Sequence, residues 1–298
     1  MTVTRPAPST GRVTWDWARP RLFGIVNVTP DSFSRGGRFV ETEAAVGHGL
    51  ALLKAGADAV DVGGESTRPG ATPLSVDEEL ARVIPVIAGL RRAAPGAILS
   101  IDTVKSQVAE AAFEAGASVL NDPGVGEPAG PMARVAARFE GLYVAMHARG
   151  TPLTMDALTD YPEGVVSAVR AALAEKAAMA LSAGVPRENV LLDPGVGFAK
   201  TAAQSLSLLA SIDAIGALGH GLLVGASRKR VLVAPEAHPR GWALDTSGPD
   251  ARLGASVAVV VAMVLRGVSA LRVHDVAESV QAARMAHALA VAGGGARC

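Results

Sequence analysis

Eight polar side chains share one kind of position in this chain, at or just after the end of a short apolar run. They are Asn27, Asp61, Asp102, Asn121, His147, Asp193, Ser227 and His274. Eight such groups collected at one end of a sheet would be costly to bury unpaired, and a shared polar ligand is the simplest reason to collect them. Asp102, Asn121 and Asp193 make a set of two acceptors and one bifunctional amide. That set suits a flat heterocycle showing adjacent N–H and NH2 donors beside carbonyl acceptors, because a carboxylate accepts two parallel hydrogen bonds. A carboxylate metal cluster would need more acidic ligands, and histidine among them. Asp193 by itself supports two readings equally, since Pro194-Gly195 follows it and Asp often caps a turn.

Arg272 and His274 lie two apart on the last apolar run, so their side chains share a face. A guanidinium and an imidazole there suit phosphate, with the following helix start adding its positive end. Asp275 and Glu278 read as a capping pair, outside the site. Ser227-Arg228-Lys229-Arg230 brings three cations to the end of another run, at least one of them facing solvent, without the spacing of a nucleotide P-loop. Two stretches rich in turn formers, 27–37 and 61–70, read as loops able to close over a substrate. No Ser-His-Asp order and no His-Glu-x-x-His helix is present, which leaves hydrolase chemistry little support.

These residues need a scaffold that gathers strand ends. Apolar, often β-branched runs at 22–28, 59–62, 98–101, 118–120, 142–146, 190–192, 222–224 and 270–273 predict strands. Ala-rich segments predict helices over 41–55, 76–93, 105–115, 131–139, 165–183, 204–209, 252–266 and 276–292, with Gly56, Gly116 and Gly184 as stops. Alternation repeated about eight times over 298 residues predicts an α/β fold, a closed eight-stranded parallel (β/α)8 TIM barrel in one domain. The expected layout is an N-terminal extension over 1–20, the barrel over 21–293 and a flexible tail over 294–298, with 234–250 a loop before a late helix. No Gly-x-Gly-x-x-Gly turn follows the first run, which argues against a doubly wound dinucleotide fold.

Bulk properties agree with a small-molecule enzyme. Lys plus Arg and Asp plus Glu are both 28, so no net field favours nucleic acid or an anionic membrane. The single cysteine, Cys298, excludes an intrachain disulfide and a cysteine-based metal cluster. The longest apolar run falls far short of a membrane span, and the first twenty residues lack a signal-peptide core, so the expected location is cytoplasmic.

Five motifs in order resemble the dihydropteroate synthases of the folate pathway, over about 23–276. They are Gly24-Ile25-Val26-Asn27-Val28-Thr29-Pro30-Asp31-Ser32-Phe33-Ser34, the stretch 61–70, Ser100-Ile101-Asp102-Thr103, the stretch 193–200 with Ser227-Arg228-Lys229, and Arg272-Val273-His274-Asp275-Val276. The resemblance implies condensation of 7,8-dihydropterin-6-ylmethyl diphosphate with 4-aminobenzoate, giving 7,8-dihydropteroate and diphosphate. It implies that Asp102, Asn121, Asp193 and Lys229 hold the pterin, with Met146 packed on its ring. Asn27, Arg272 and His274 would bind the diphosphate, Asn27 also meeting its Mg2+. Thr67, Arg68 and Pro69, with Phe33 and Phe198, would shape the aminobenzoate site, and the assembly would be a homodimer.

The chain departs from the family's pattern at Arg35, where relatives commonly carry Asp, at Arg230, where many carry Ser, and after Asp122. Two alternatives share the fold: a pterin-binding paralogue without turnover, and a pterin methyltransferase working with a corrinoid partner. The second has no need of Arg272 and His274 as a diphosphate clamp.

Overall fold

The computed structural model describes residues 17–28, 37–68, 70–125, 129–233, 248 and 250–293. Eight parallel strands run in chain order around a closed barrel. They are β1 (Arg21–Asn27), β2 (Ala59–Gly63), β3 (Ile98–Asp102), β4 (Val119–Asp122), β5 (Leu142–Met146), β6 (Val190–Asp193), β7 (Gly221–Val224) and β8 (Ala270–Val273). Each expected run is a strand, its ends shifted by at most two residues.

Helices α1 (Gly37–Lys54), α2 (Val76–Ala93), α3 (Ser106–Glu114), α4 (Ala129–Arg138), α5 (Val165–Ser182), α6 (Ala202–Ala210), α7 (Ile212–Gly216), α8 (Leu253–Leu265) and α9 (Val276–Ala292) lie between and after the strands. Helix α1 starts four residues before its expected position, and two helices replace the one expected over 204–209. The break is at Ser211, whose φ of −112° and ψ of 26° end α6 before Ile212 and Ile215 restart a buried turn. Gly56, Gly116 and Gly184 do stop their helices, with φ of +105°, +115° and +98°. Phe33 and Arg35 in the first loop, Pro69, the segments 234–247 and 294–298, and most of the expected N-terminal extension lie outside the described residues. Among the described residues no helix is long and apolar enough to cross a membrane.

Strand period decides which residues reach the site. Phe23, Ala59, Val119, Leu142, Val144, Leu191, Leu223 and Ala270 pack into one cluster that fills the barrel, with Trp17 against it. Moving two residues toward the C-terminal end of the same strands gives Asp61, Asn121, Met146 from Val144, Asp193 and Arg272. The apolar plug and the polar mouth are therefore successive layers of one inward face, and that end carries the chemistry of such barrels. Alternate positions such as Val60, Leu120, Leu192 and Val224 join the larger core under the helices.

One glycine sets the shape of the mouth. Gly195 has φ of +66°, and a Cβ there would stand 1.9 Å from the carbonyl oxygen of His147. No side chain fits against backbone at that range. Gly195→Ala is expected to lose about 1–3 kcal/mol of stability from strain, read as a fall in Tm. Gly96→Ala, where nothing stands within 4 Å, is expected to leave Tm unmoved. Equal Tm values for the two variants would remove the constraint.

Candidate functional site

An ion cluster occupies the middle of the barrel mouth. The Arg272 guanidinium, from β8, donates Nε to Asp61 Oδ2 at 2.6 Å and Nη2 to Asp102 Oδ2 at 2.7 Å. Asn121 donates Nδ2 to the same Asp61 oxygen at 3.0 Å. β2 and β4 are not neighbours, so that bond passes over β3 on the inner face. Asp61 Oδ1, Asp102 Oδ1 and Ser100 Oγ are buried without a partner. Unpaired acceptors in so dry a place point to a ligand that donates. Burial lifts Asp102 to about 7, against the pull of Arg272 and with Asp61, Glu79 and Asp122 adding to the rise. Asp61 is fully buried and was not assigned to the site from sequence, although it met the strand-end criterion used for Asp102.

Asp193 makes the turn that one of its two readings predicts and keeps an oxygen for the other. Its Oδ1 accepts the Gly195 N–H at 2.7 Å, which makes the turn, while Oδ2 has no bond within the described protein. Burial raises its pKa, opposed by Lys229, the Gly195 amide, Lys200 and Arg272. Lys200, unassigned from sequence, is buried and ties the loop together. Its Nζ donates to the carbonyls of Gly195 at 3.0 Å and Phe198 at 2.8 Å and lies 2.8 Å from His147 Nδ1. Burial pushes Lys200 down to about 7 and His147 to about 3, so the imidazole is neutral and accepts on Nδ1. The sequence signal was the lysine at the end of a glycine-rich turn, but its partners lie on two separate strand ends.

Lys229 reaches over the same loop. Its Nζ donates to the Val196 carbonyl at 2.6 Å and stands 4.8 Å above the Phe198 ring. Burial lowers it to about 8, with Asp193 pulling the other way. Met146 pairs in register with Asp193 and packs beside Gly195, so its thioether floors the mouth. Asp102, Asn121, Met146, Asp193, Phe198, Lys229 and Arg272 thus form one connected surface.

On the β8 side, Ser227 Oγ accepts the His274 backbone N–H at 3.2 Å and lies 3.1 Å from its Nδ1. The hydroxyl occupies Nδ1, which leaves Nε2 as the ring nitrogen without a protein partner among the described residues. Burial and the charges of Arg272, Arg228 and Arg68 lower His274 to about 3, despite Asp275, so it is a neutral donor rather than a cation. Asp275 is not the expected cap: it makes no capping bond and instead takes Nε and Nη2 of Arg228. A bidentate guanidinium is the stronger partner for a carboxylate, and the backbone at Asp275, with ψ of 76°, turns away from cap geometry. Arg228 is thereby fixed, with φ of +60°, and Arg230 is the cation that faces solvent.

Asn27 ends β1 half-buried, with no side-chain bond among the described residues. Arg272 Nη1 makes no hydrogen bond among the described residues. Thr67 and Arg68 lie in the loop after β2, Thr67 half-buried and Arg68 exposed, close enough for its charge to act on His274. Phe33 and Pro69, expected beside them, lie outside the described residues.

Comparison with known proteins agrees with this geometry. A family described as pterin binding enzyme matches residues 23–274. The dihydropteroate synthase of Synechocystis is 38% identical over 95% of each chain. Two structures of Xanthomonas albilineans dihydropteroate synthase superpose closely. The one with 4-aminobenzoic acid has a TM-score of 0.83 at 40% identity, covering 95% of this chain and 98% of that one. The one in complex with 7,8-dihydropteroate has a TM-score of 0.81 at 38% identity, with the same coverage. Strand-end carboxylates around a guanidinium, a glycine-rich lysine loop and these relatives lead to one conclusion: the chain belongs to the pterin-binding enzyme family, among the dihydropteroate synthases.

Proposed function

We propose that the barrel mouth condenses 7,8-dihydropterin-6-ylmethyl diphosphate with 4-aminobenzoate, releasing diphosphate and 7,8-dihydropteroate. The observation that carries this is the buried Asp102 Oδ1 without a partner, with Asp193 Oδ2 unbonded among the described residues, beside the Asn121 amide. A pterin edge supplies the donors those oxygens lack. Met146 and Lys229 then bound the ring, and Lys229 donates toward its carbonyl.

The diphosphate lies toward Arg272 Nη1, His274 and Asn27. Neutral His274 donates Nε2–H to the departing oxygens, and Arg272 meets their charge with a guanidinium that stays protonated. Departure leaves a methylene cation delocalised into the pterin, which the Asp102 and Asp193 carboxylates favour by their charge. A neutral arylamine attacks it without prior deprotonation. The proton its nitrogen sheds after the C–N bond forms passes to the released diphosphate or to water, so positioning and electrostatics do the catalytic work. Thr67, Arg68 and Phe198 orient that arylamine, together with Phe33 and Pro69.

Mg2+ fits as a substrate-borne ion. Among the described residues no three His, Cys, Asp or Glu side chains converge on a point. A divalent ion carried on diphosphate oxygens needs only one or two protein ligands, and the Asn27 amide oxygen, without a partner among the described residues, is one. When bound, the ion neutralises charge on the leaving group.

The enzyme works as a cytoplasmic homodimer in this reading. Met285 and Leu289, one turn apart on α9, and Leu265 at the end of α8 are exposed apolar residues that a second copy would cover. Sedimentation equilibrium is expected to give twice the chain mass; a monomer at micromolar concentration would overturn the assembly.

Purified protein given both substrates and Mg2+ is expected to release diphosphate in step with pteroate formation. A folded protein that binds the pterin without turnover would be the inactive paralogue. The pH dependence has a definite sign. Asp102 accepts two donors only when ionised, and its pKa stands at about 7. Pterin affinity should therefore rise as pH climbs through about 7 and level off above it, and Asp102→Asn should flatten that rise. A pH-independent affinity in the parent protein, measured by calorimetry, would remove Asp102 from the role.

A further inference from the structure

Lys105 lies three residues beyond Asp102, in the loop leaving β3, and its ammonium joins two carboxylates from two other segments. Glu65, in the loop after β2, and Glu79, in the first turn of α2, both accept from Nζ, the second at 2.6 Å. Glu79 is 0% exposed, and its other oxygen, Oε1, has no partner. Among the described residues Lys105 is its only ion-pair partner, and a buried carboxylate stripped of its cation is strongly unfavourable. Burial opposes the charge on Lys105, but the bonds from Glu65 and Glu79 hold its pKa above the ordinary lysine value.

The bridge grips the root of the β2 loop. Glu65 Oε2 also accepts the N–H of Leu74 at 3.0 Å, so one carboxylate closes the loop from 65 to 74. Arg82 of α2 donates to the Gly64 carbonyl at 3.0 Å, and a Cβ on Gly64 would meet Val83 at 2.7 Å. At its far side the loop is tied across the mouth, where the Gly70 N–H donates to the Pro152 carbonyl at 2.9 Å. Thr67 and Arg68 lie between these two attachments. Neither is bonded to Lys105 among the described residues, so the bridge acts on them through the loop's backbone.

We propose that Lys105 is a positioning residue for the second substrate: by holding Glu65 against Glu79 it fixes where Thr67 and Arg68 stand, while Asp102 on the adjoining strand end reads the pterin. The proposal rests on the reading of the β2 loop as the aminobenzoate side. In Lys105→Met, the KM for 4-aminobenzoate should rise about tenfold, while the Kd for 7,8-dihydropterin-6-ylmethyl diphosphate changes less than about twofold, because only the loop is displaced. Lys105→Arg should recover most of the loss. Deuterium exchange should quicken in residues 64–74, the Leu74 amide included, and not across the barrel.

Glu65→Gln keeps an acceptor for Leu74 but removes the charge, and it decides the matter by the same readings if Lys105→Met does not fold. An unchanged aminobenzoate KM with unchanged loop exchange would overturn the proposal. So would equal losses for both substrates with barrel-wide exchange, the mark of a merely structural lysine. Thr67→Ala, run alongside, separates the two levels. If its aminobenzoate KM stays put, the assignment of the loop fails; if it moves while the Lys105 and Glu65 variants do not, only the bridge fails.

Discussion

A guanidinium that cannot give up its proton, held between two buried carboxylates, is the interaction on which this site depends. Arg272 reaches from β8 to Asp61 on β2 and Asp102 on β3, and Asn121 on β4 bonds the same Asp61. Four strand ends are thus locked to one another across the barrel rather than along the sheet. Buried ion clusters of this kind often add little net stability, since desolvation offsets their attraction. What this one supplies is orientation. Arg272 makes two of the bonds and Asp61 Oδ2 accepts two, while the other oxygens, Asp102 Oδ1 and Asp61 Oδ1, have no partner among the described residues.

The second half of the site is built by a backbone that is held under strain. Ala199 and Arg228, neither of them glycine, sit at φ of +49° and +60°. Each is pinned by bonds that outweigh the local preference: Tyr161 donates to the Ala199 carbonyl, and Arg228 is clamped by Asp275 while its own amide donates to Ser256. The loops bearing Phe198 and Lys229 therefore face each other in one arrangement, which lets the ammonium lie over the ring.

Much of this was legible in the chain. Apolar runs located every strand because a strand buried on both faces has no polar alternation to blur it, and the polar residue ending each run marked the mouth. The errors share a cause. Asp275 with Glu278 looked like a cap because local spacing shows the carboxylate but not the Arg228 that claims it from 47 residues away. Lys200, Lys105 and Asp61 were passed over for the same reason: each matters through partners on other strands or loops. The division after α6 was missed because Ser211 is an ordinary helix residue by propensity, and only its backbone angles reveal the break.

The neutrality of His274 bears on how the reaction ends. Good grip on a departing dianion is an advantage during bond cleavage and a liability afterwards, when the same anion must escape before the next turnover. An imidazole locked uncharged by its buried, cation-lined setting donates one directed hydrogen bond without a full positive charge behind it. Under the proposed assignment, the hold on the product is lighter than two cations would make it. With a pKa near 3 before any anion is bound, the imidazole is uncharged throughout the range in which a cell's acidity varies.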